Sequence, residues 1–242
     1  MSPERTLFVS DLHLDDARPE ATARFEGFLG KVVPGADALY ILGDLFEYWV
    51  GDDSLALAFP SRVARLLRDA TRTVPAFFMH GNRDFLVAQR FARDTGVALL
   101  ADPTVVDLHG EPTLLAHGDT LCTDDLQYQA FRAQVRDPAW QAATLARSLD
   151  ERVGMARRLR SESEVAKGGK AAGIMDVSGS AVEKAFADSG CRVMIHGHTH
   201  RPGRHVHRVN GRDCVRWVLG DWYEGASYLE ATPEGIRSVD IA

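Results

Sequence analysis

Six short apolar runs in this chain each end on a metal-binding side chain or on a Gly-Asp or Gly-His corner: Phe8-Val9-Ser10-Asp11-Leu12-His13, Leu42-Gly43-Asp44, Met79-His80-Gly81-Asn82-Arg83-Asp84, Ala116-His117-Gly118-Asp119, Ile195-His196-Gly197-His198-Thr199-His200 and Leu219-Gly220-Asp221. The first five suit a two-metal site. Asp11 and His13 are separated by one residue, so in extended backbone both side chains point to one side and can grip one ion. His198 and His200 have the same spacing. Asp44, turning out of Gly43, offers two oxygens that can bridge two ions; Asn82 adds a neutral oxygen, and His117 a further imidazole. Nitrogen and oxygen donors without thiolate favour Mn²⁺, Fe²⁺ or Zn²⁺ over Ca²⁺. Singly, an Asp after a strand is a turn residue and a lone His a satisfied core or surface group. Five such motifs in order, each following a strand, outweigh that reading. His80 and His196 fall outside the ligand pattern and are expected to support it, while Gly220-Asp221 is read as structural and Trp222 is assigned no chemistry.

The elements that must present these corners alternate strand runs with helical periodicity, as in an α/β fold. Strands are expected at Thr6 to Ser10, Ala38 to Leu42, Ala76 to Met79, Val105 to Leu108, Thr113 to Ala116, Val193 to Ile195, Cys214 to Leu219 and Ser227 to Glu230. Ala21, Phe25, Phe28, Leu29 and Val32 mark one helix, Val63, Leu66, Leu67 and Ala70 a second, and a third is expected around Phe85 to Asp94. In open α/β sheets ligands gather at the carboxyl ends of strands, where all five motifs stand. Residues 121–176 break the alternation. Tyr128, Phe131 and Val135 recur at helical spacing, and Asp137-Pro138 is an N-cap followed by proline at the first helical position. This stretch reads as a helical cap inserted within one domain spanning residues 1–242. Arg152, Arg157, Arg158, Arg160, Lys167 and Lys170 concentrate positive charge in it; as a group facing a phosphate site they would be functional, and singly a solvated helix face.

Composition narrows the partners. A length of 242 residues with 45% apolar residues supports a substantial core, and a formal charge of -6 argues against nucleic acid as the main partner. Three cysteines, Cys122, Cys191 and Cys214, without CxxC spacing suggest neither a disulfide framework nor a thiolate zinc site. No charged and apolar leader precedes the first strand, and no apolar stretch approaches the roughly 20 residues of a membrane span. Secretion and membrane insertion are therefore not expected.

The order DxH, GD, GN, H, GHxH resembles the calcineurin-like metallophosphoesterase superfamily, over Asp11 to His200. The resemblance implies a four-layer α/β/β/α sandwich. It also implies a dinuclear centre, with Asp11, His13, Asp44 and His200 on one ion and Asp44, Asn82, His117 and His198 on the other. Ions about 3.5 to 4 Å apart in such sites clamp the phosphate and activate the water that attacks phosphorus in line. Many members carry GNHE or GNHD, whose histidine assists the leaving oxygen; here the motif is Gly81-Asn82-Arg83-Asp84. Arginine stays protonated and cannot serve as a general acid, although its planar fork suits phosphate oxygens. A leaving group that departs readily as an anion, such as a phosphate monoester, is then expected.

The same departure marks a subfamily. The stretches Leu39 to Glu47, His80 to Leu86, His117 to Asp125, Tyr128 to Arg132 and Ile174 to Val177 resemble the UDP-2,3-diacylglucosamine diphosphatases of bacterial lipid A synthesis. That resemblance implies hydrolysis to 2,3-diacylglucosamine 1-phosphate and UMP, with two divalent ions, Mn²⁺ foremost. Asn82 and Arg83 would then act in catalysis. Asn82, Arg83, Asp125, Ser163, Lys167, Lys170 and His198 would contact substrate, with Tyr128 and Arg160 as further candidates. Leu45, Phe46, Trp49, Phe85, Leu86, Phe131, Ala156 and Met175 are candidates for an acyl groove. The resemblance further implies a peripheral enzyme on the cytoplasmic face of the inner membrane, docked on anionic lipid through its cap, with no obligate protein partner evident. A phosphodiesterase or nuclease of other specificity, and a non-catalytic metal-bound scaffold, are the competing readings.

Overall fold

The computed structural model describes residues 4–168 and 176–241, apart from the side chains of 164–168. Lys167, Lys170 and Met175 therefore lie outside the described side chains. Two sheets form the centre. The first has the order β11-β10-β1-β2-β3-β4, built from Gly235–Asp240, Ser227–Thr232, Thr6–Val9, Ala38–Leu42, Ala76–Met79 and Ala98–Leu100. The second, β5-β6-β7-β9-β8, is built from Thr104–Leu108, Glu111–Ala116, Val193–His196, Arg212–Val218 and Gly203–Val209. β1, β2, β3 and β4 run parallel, as do β6, β7 and β9. Parallel neighbours end together, so the loops after these strands are brought side by side.

Side-chain alternation explains the layering. Leu7, Val9, Leu39 and Ile41 point to one face, where they pack with Phe25, Phe28, Val63 and Leu67 of α1 (Pro19–Lys31) and α2 (Ala58–Thr71). Phe8, Tyr40, Leu42 and Met79 point to the other, meeting Leu115, Ile195 and Leu219 of the second sheet. The far face of that sheet, through Leu114 and Met194, is covered by Val182 and Phe186 of α7 (Gly179–Ser189). The expected four-layer α/β/β/α sandwich is thereby formed.

Ahead of α7, the chain between β6 and β7 also forms α4 (Leu126–Arg136), α5 (Pro138–Leu145) and α6 (Leu149–Gly168). Asp137 caps α5 as expected, its carboxylate accepting the Trp140 N–H at 2.9 Å. The expected helix from Phe85 to Asp94 is shorter: α3 spans Gln89–Thr95. The preceding residues instead fold back, with His80 Nε2 2.7 Å from the Val87 carbonyl, and Asp52 accepts the N–H groups of Ala88 and Phe91 at 3.0 and 2.9 Å. β4, β8, β11 and α7 are additions to the elements expected from sequence.

Trp222 is fully buried, with its ring edge-on to Phe25 and Phe28, and its backbone N–H donates to the Asp11 carbonyl at 3.2 Å. It joins the helical face of the first sheet to the first corner. Trp222→Ala is expected to cost about 3–5 kcal/mol of stability, read as a lower urea midpoint, as for other buried aromatic truncations. A midpoint unchanged from wild type would contradict this packing role.

Candidate metal centre and substrate cavity

Each of the five corners follows a strand end, but the backbone there is not extended. Asp11, His13, Asp44, His198 and His200 have φ of 57°, 48°, 53°, 68° and 54°, in the left-handed region. The expectation that Asp11 and His13, or His198 and His200, share a side through strand alternation is therefore corrected. They converge because a sparsely populated backbone conformation turns them inward, at a cost of order 1–3 kcal/mol each that surrounding contacts must offset. Those contacts join the corners directly. The N–H groups of Asp11 and His13 donate to the carbonyls of Gly43 and Asp44 at 3.1 and 2.9 Å, and Gly197 N–H donates to the His117 carbonyl at 2.9 Å. The approach is close enough to require glycine. A Cβ on Gly81 would run into the Asp44 carboxylate, 2.8 Å from its Cγ, and one on Gly197 would strike Ser10 and Asp11.

The converging atoms are donors to a cation. His13 Nε2 and His200 Nε2 face one another at 3.3 Å, with Asp11 Oδ1 3.4 Å from the latter. Asp11 Oδ1 is buried without a hydrogen-bond partner among the described residues, whereas Oδ2 accepts the His198 N–H at 2.8 Å. On the other side Asn82 Oδ1 lies 3.1 Å from His117 Nε2 and 2.9 Å from His198 Nδ1. Asp44 stands between: Oδ2 is 3.7 Å from His13 Nε2 and Oδ1 is 3.9 Å from His117 Nε2. Asp11, His13 and His200 fit one ion, and Asp11, Asp44 and His117 also lie close enough for one. All seven sequence-derived ligand candidates are thus brought together, and the orphaned Asp11 oxygen fits a divalent metal.

Buried charge gives the same answer. Burial lowers the basicity of His117, but Asp44, Asp119 and Asp11 outweigh it and push its pKa up to about 9; for His200, Asp11 and Asp221 outweigh burial and push it up to about 10. A divalent cation answers the same negative field while releasing those protons. Burial would raise Asp11, but His200, His117 and His13 hold it well below the usual carboxylate range. Asp84 has the opposite balance: burial and then Asp44 push it up to about 7. It accepts the N–H groups of Gly81 and Leu45, both at 2.8 Å, tying the second corner to the third.

Supporting residues lie outside the pattern read from sequence. Asp221, taken there as structural, sits 3.1 Å from His200 Nδ1 and so belongs to the site. Glu47 lies 3.4 Å from His13 Nδ1, and His13, Arg160 and Arg83 overcome its burial to hold its pKa down to about 2. His196 is fully buried and supports as expected: its Nδ1 donates to the Gly197 carbonyl at 2.8 Å and its Nε2 accepts from Arg216 at 2.9 Å. Burial and then Arg216 push its pKa down to about 3, so the imidazole is neutral. His80 Nε2 lies 2.7 Å from the Val87 carbonyl, and the ring packs edge-on against Phe78.

One cavity of about 490 Å³ opens onto these ligands. Of the expected substrate contacts, Asn82, Arg83, Asp125, Ser163 and His198 line it. Arg83 Nε is buried without a hydrogen-bond partner among the described residues, while its backbone N–H donates to Asp44 Oδ1 at 2.8 Å. Asp125 also caps α4, accepting the Tyr128 N–H at 3.1 Å. Tyr128 lines the cavity, but its hydroxyl donates to Asp119 at 2.6 Å. Of the acyl-groove candidates, Trp49, Phe85, Leu86, Phe131 and Ala156 line the cavity, joined by Trp140, Met155 and Leu159. Leu45 and Phe46 do not; they are fully buried in the core, Phe46 against Trp49 and Phe91. The basic group of α6 divides. Arg152 is buried and ion-paired with Asp53, Arg157 and Arg158 are exposed, and Arg160 reaches the cavity but pairs with Glu47.

A centre of this kind between two sheets defines a metal-dependent phosphoesterase, and the chain belongs to the calcineurin-like phosphoesterase family, whose profile matches residues 4–202. More specifically, it is 51% identical to a UDP-2,3-diacylglucosamine hydrolase of Xanthomonas campestris pv. campestris (strain B100), over 98% of this chain and 99% of that one. A protein of the same name from Stenotrophomonas maltophilia (strain K279a) is 50% identical, over 95% and 96%.

The Asp221 contact is testable by itself. Asp221→Asn keeps the shape but removes the charge behind His200 Nδ1, so affinity for a divalent ion is expected to fall about 10–100-fold. Titration against a chelator measures this, and an unchanged affinity would return Asp221 to a purely structural role.

Proposed function

We propose that this chain hydrolyses the pyrophosphate bond of UDP-2,3-diacylglucosamine, with water attacking the α-phosphorus to give 2,3-diacylglucosamine 1-phosphate and UMP, as a step of lipid A synthesis. The observation that carries this reading is that one cavity is lined both by His13, Asp44, Asn82, His198 and His200 of the converged set and by an apolar wall, with Arg83 Nε, unpartnered among the described residues, buried beside it. A polar phosphate end and an acyl end are both provided for. The names of the relatives point to the same substrate.

Asp11, His13, Asp44 and His200 would hold one ion and Asp44, Asn82, His117 and His198 the second, with Mn²⁺ the best match to a nitrogen and oxygen set. Ions bound there polarise phosphoryl oxygens and lower the pKa of water. The protein groups do the rest. Arg83 supplies a fixed positive charge and a free N–H to the phosphates. Asp125 and Ser163 offer hydrogen bonds to the sugar or amide groups, as Lys167 and Lys170 would from the neighbouring segment. Trp49, Phe85, Phe131 and Met155 exclude water from the acyl chains.

The cap formed by α4 to α6 also suits a peripheral position on the cytoplasmic face of the inner membrane. Arg157 and Arg158 are exposed on α6 and can meet anionic headgroups. Among the described residues no helix is long and apolar enough to cross a membrane. Co-sedimentation with phosphatidylglycerol vesicles at low salt, weakening as salt rises, is the expected result; no binding at low salt would count against this placement.

Hydrolysis in ¹⁸O-labelled water tests the chemistry. Label is expected in UMP. Label in the lipid phosphate would overturn α-phosphorus attack, and no turnover of UDP-2,3-diacylglucosamine with Mn²⁺ present would overturn the substrate.

A further inference from the structure

One side chain touches both the metal ligands and the helices above the cavity. Glu47 follows the second corner, on the segment whose Phe46 bridges to Leu14 beside the first. It is largely buried. Its Oε2 lies 3.4 Å from His13 Nδ1, a buried nitrogen with no hydrogen-bond partner among the described residues. Oε1 takes the Nε–H of Arg160 on α6. Tyr223 closes the cluster: its hydroxyl donates to Oε2 at 3.3 Å, its ring stacks on His13 with centroids 5.1 Å apart, and the Arg18 guanidinium carbon lies 4.3 Å above it.

We propose that Glu47 is a positioning residue that couples the seating of α6 to the geometry of the metal centre, one carboxylate oxygen orienting His13 and the other holding Arg160. The inference rests on the metal-centre reading given above.

The two oxygens have separable consequences. An acceptor at Nδ1 places the imidazole proton there and leaves Nε2 with its lone pair toward Asp11 and Asp44, as Asp221 does for His200. Without that acceptor the ring can put its proton on either nitrogen, and the wrong tautomer presents N–H to the ion. The other oxygen sets where Arg160 stands on the cavity wall. Since Arg160 is long and cationic, its contact with Oε1 ties the guanidinium to the metal-centre side of the cavity. A single carboxylate thus registers both events, and displacement of either partner alters the charge felt by the other.

Glu47→Gln tests the coupling because it keeps the shape while removing the charge and half the acceptor capacity. Two readouts are needed. In chelator titrations the wild-type chain is expected to hold Mn²⁺ about 10–100-fold more tightly than the variant. By hydrogen exchange, Mn²⁺ loading is expected to slow amides of residues 149–163 in wild type and to leave them unresponsive in the variant. Arg160→Gln is the control: it should abolish the α6 response while lowering metal affinity less than Glu47→Gln does, since the acceptor facing His13 is kept.

Loss of both responses in Glu47→Gln supports the proposal. A variant that keeps wild-type metal affinity, or whose α6 still responds to Mn²⁺, overturns it. If the wild-type chain itself takes up no divalent ion, the metal-centre reading fails, which is a distinguishable result. Near-ultraviolet circular dichroism of the metal-free variant checks that its fold is retained; if it is not, Glu47→Asp, which keeps the charge, replaces it and should retain metal while losing the α6 response, the reverse pattern counting against the proposal.

Discussion

The constraint on which this structure depends is the burial of the Asp44 corner against its neighbours. Asp44 is turned inward by a left-handed backbone, and its Oδ1 is held by the Arg83 N–H at 2.8 Å. Behind it Asp84 accepts N–H groups from Gly81 and Leu45, so the loops after β2 and β3 are fixed by one carboxylate. Burying that many carboxylates costs several kcal/mol per charge unless each is paired or hydrogen-bonded. The second sheet supplies compensation in the form of imidazoles, and this is why the two sheets must end at the same place.

That requirement makes the scaffold's rigidity part of the chemistry. The parallel registers of β1 with β2, of β2 with β3, and of β6 with β7 set the heights from which the corners depart. Packing between the sheets, through Phe8, Leu42, Met79, Leu115 and Ile195, then fixes their separation. Close-packed interiors resist such shifts, so ligands on unfavourable backbone angles stay converged. Glycines at Gly81 and Gly197 are the other half of the arrangement, since a methyl at either would push a carboxylate out of place.

Much of this was legible in the chain because the signal is local. An apolar run followed by a small residue and an acid or imidazole marks both a strand end and its corner, and the expected β2 and β3 match the observed spans. What the chain concealed depends on partners distant in sequence. The Gly220-Asp221 corner repeats the Gly43-Asp44 pattern, but the sequence does not say which imidazole it serves; that appears only where β9 brings it to His200. Glu47 is revealed only by His13 and Arg160 meeting there, and Arg152 was grouped with phosphate-facing cations although Asp53 claims it. The two-residue ligand spacing suggested extended backbone, which the need to turn side chains inward overrides. Other elements left signals that could have been read. Asn210-Gly211, with φ of 50° and 76°, is a hairpin turn between β8 and β9, and Ser178 with Gly190 brackets α7 around Val182 and Phe186. β8 itself, Gly203–Val209, is polar and largely exposed on an edge, which masks strand periodicity.

The cavity also bears on which bond can break. A leaving alkoxide needs a proton, and among the described residues Tyr128 and Cys122 are poorly placed to give one. Tyr128 commits its hydroxyl hydrogen to Asp119 and is held well above its ordinary pKa by burial and that carboxylate. Burial, with Asp119 beside it, pushes the Cys122 thiol up to about 12. Arg83 keeps its proton at any physiological pH. His80 and His196, the histidines outside the ligand set nearest the corners, bond to backbone and Arg216 instead. A site whose fixed charge is Arg83 and whose neutral acids are withheld favours a group that leaves as an anion. A phosphate ester meets that condition without help, so the substitution of arginine for histidine in the third motif and the commitment of Tyr128 to Asp119 press toward the same chemistry.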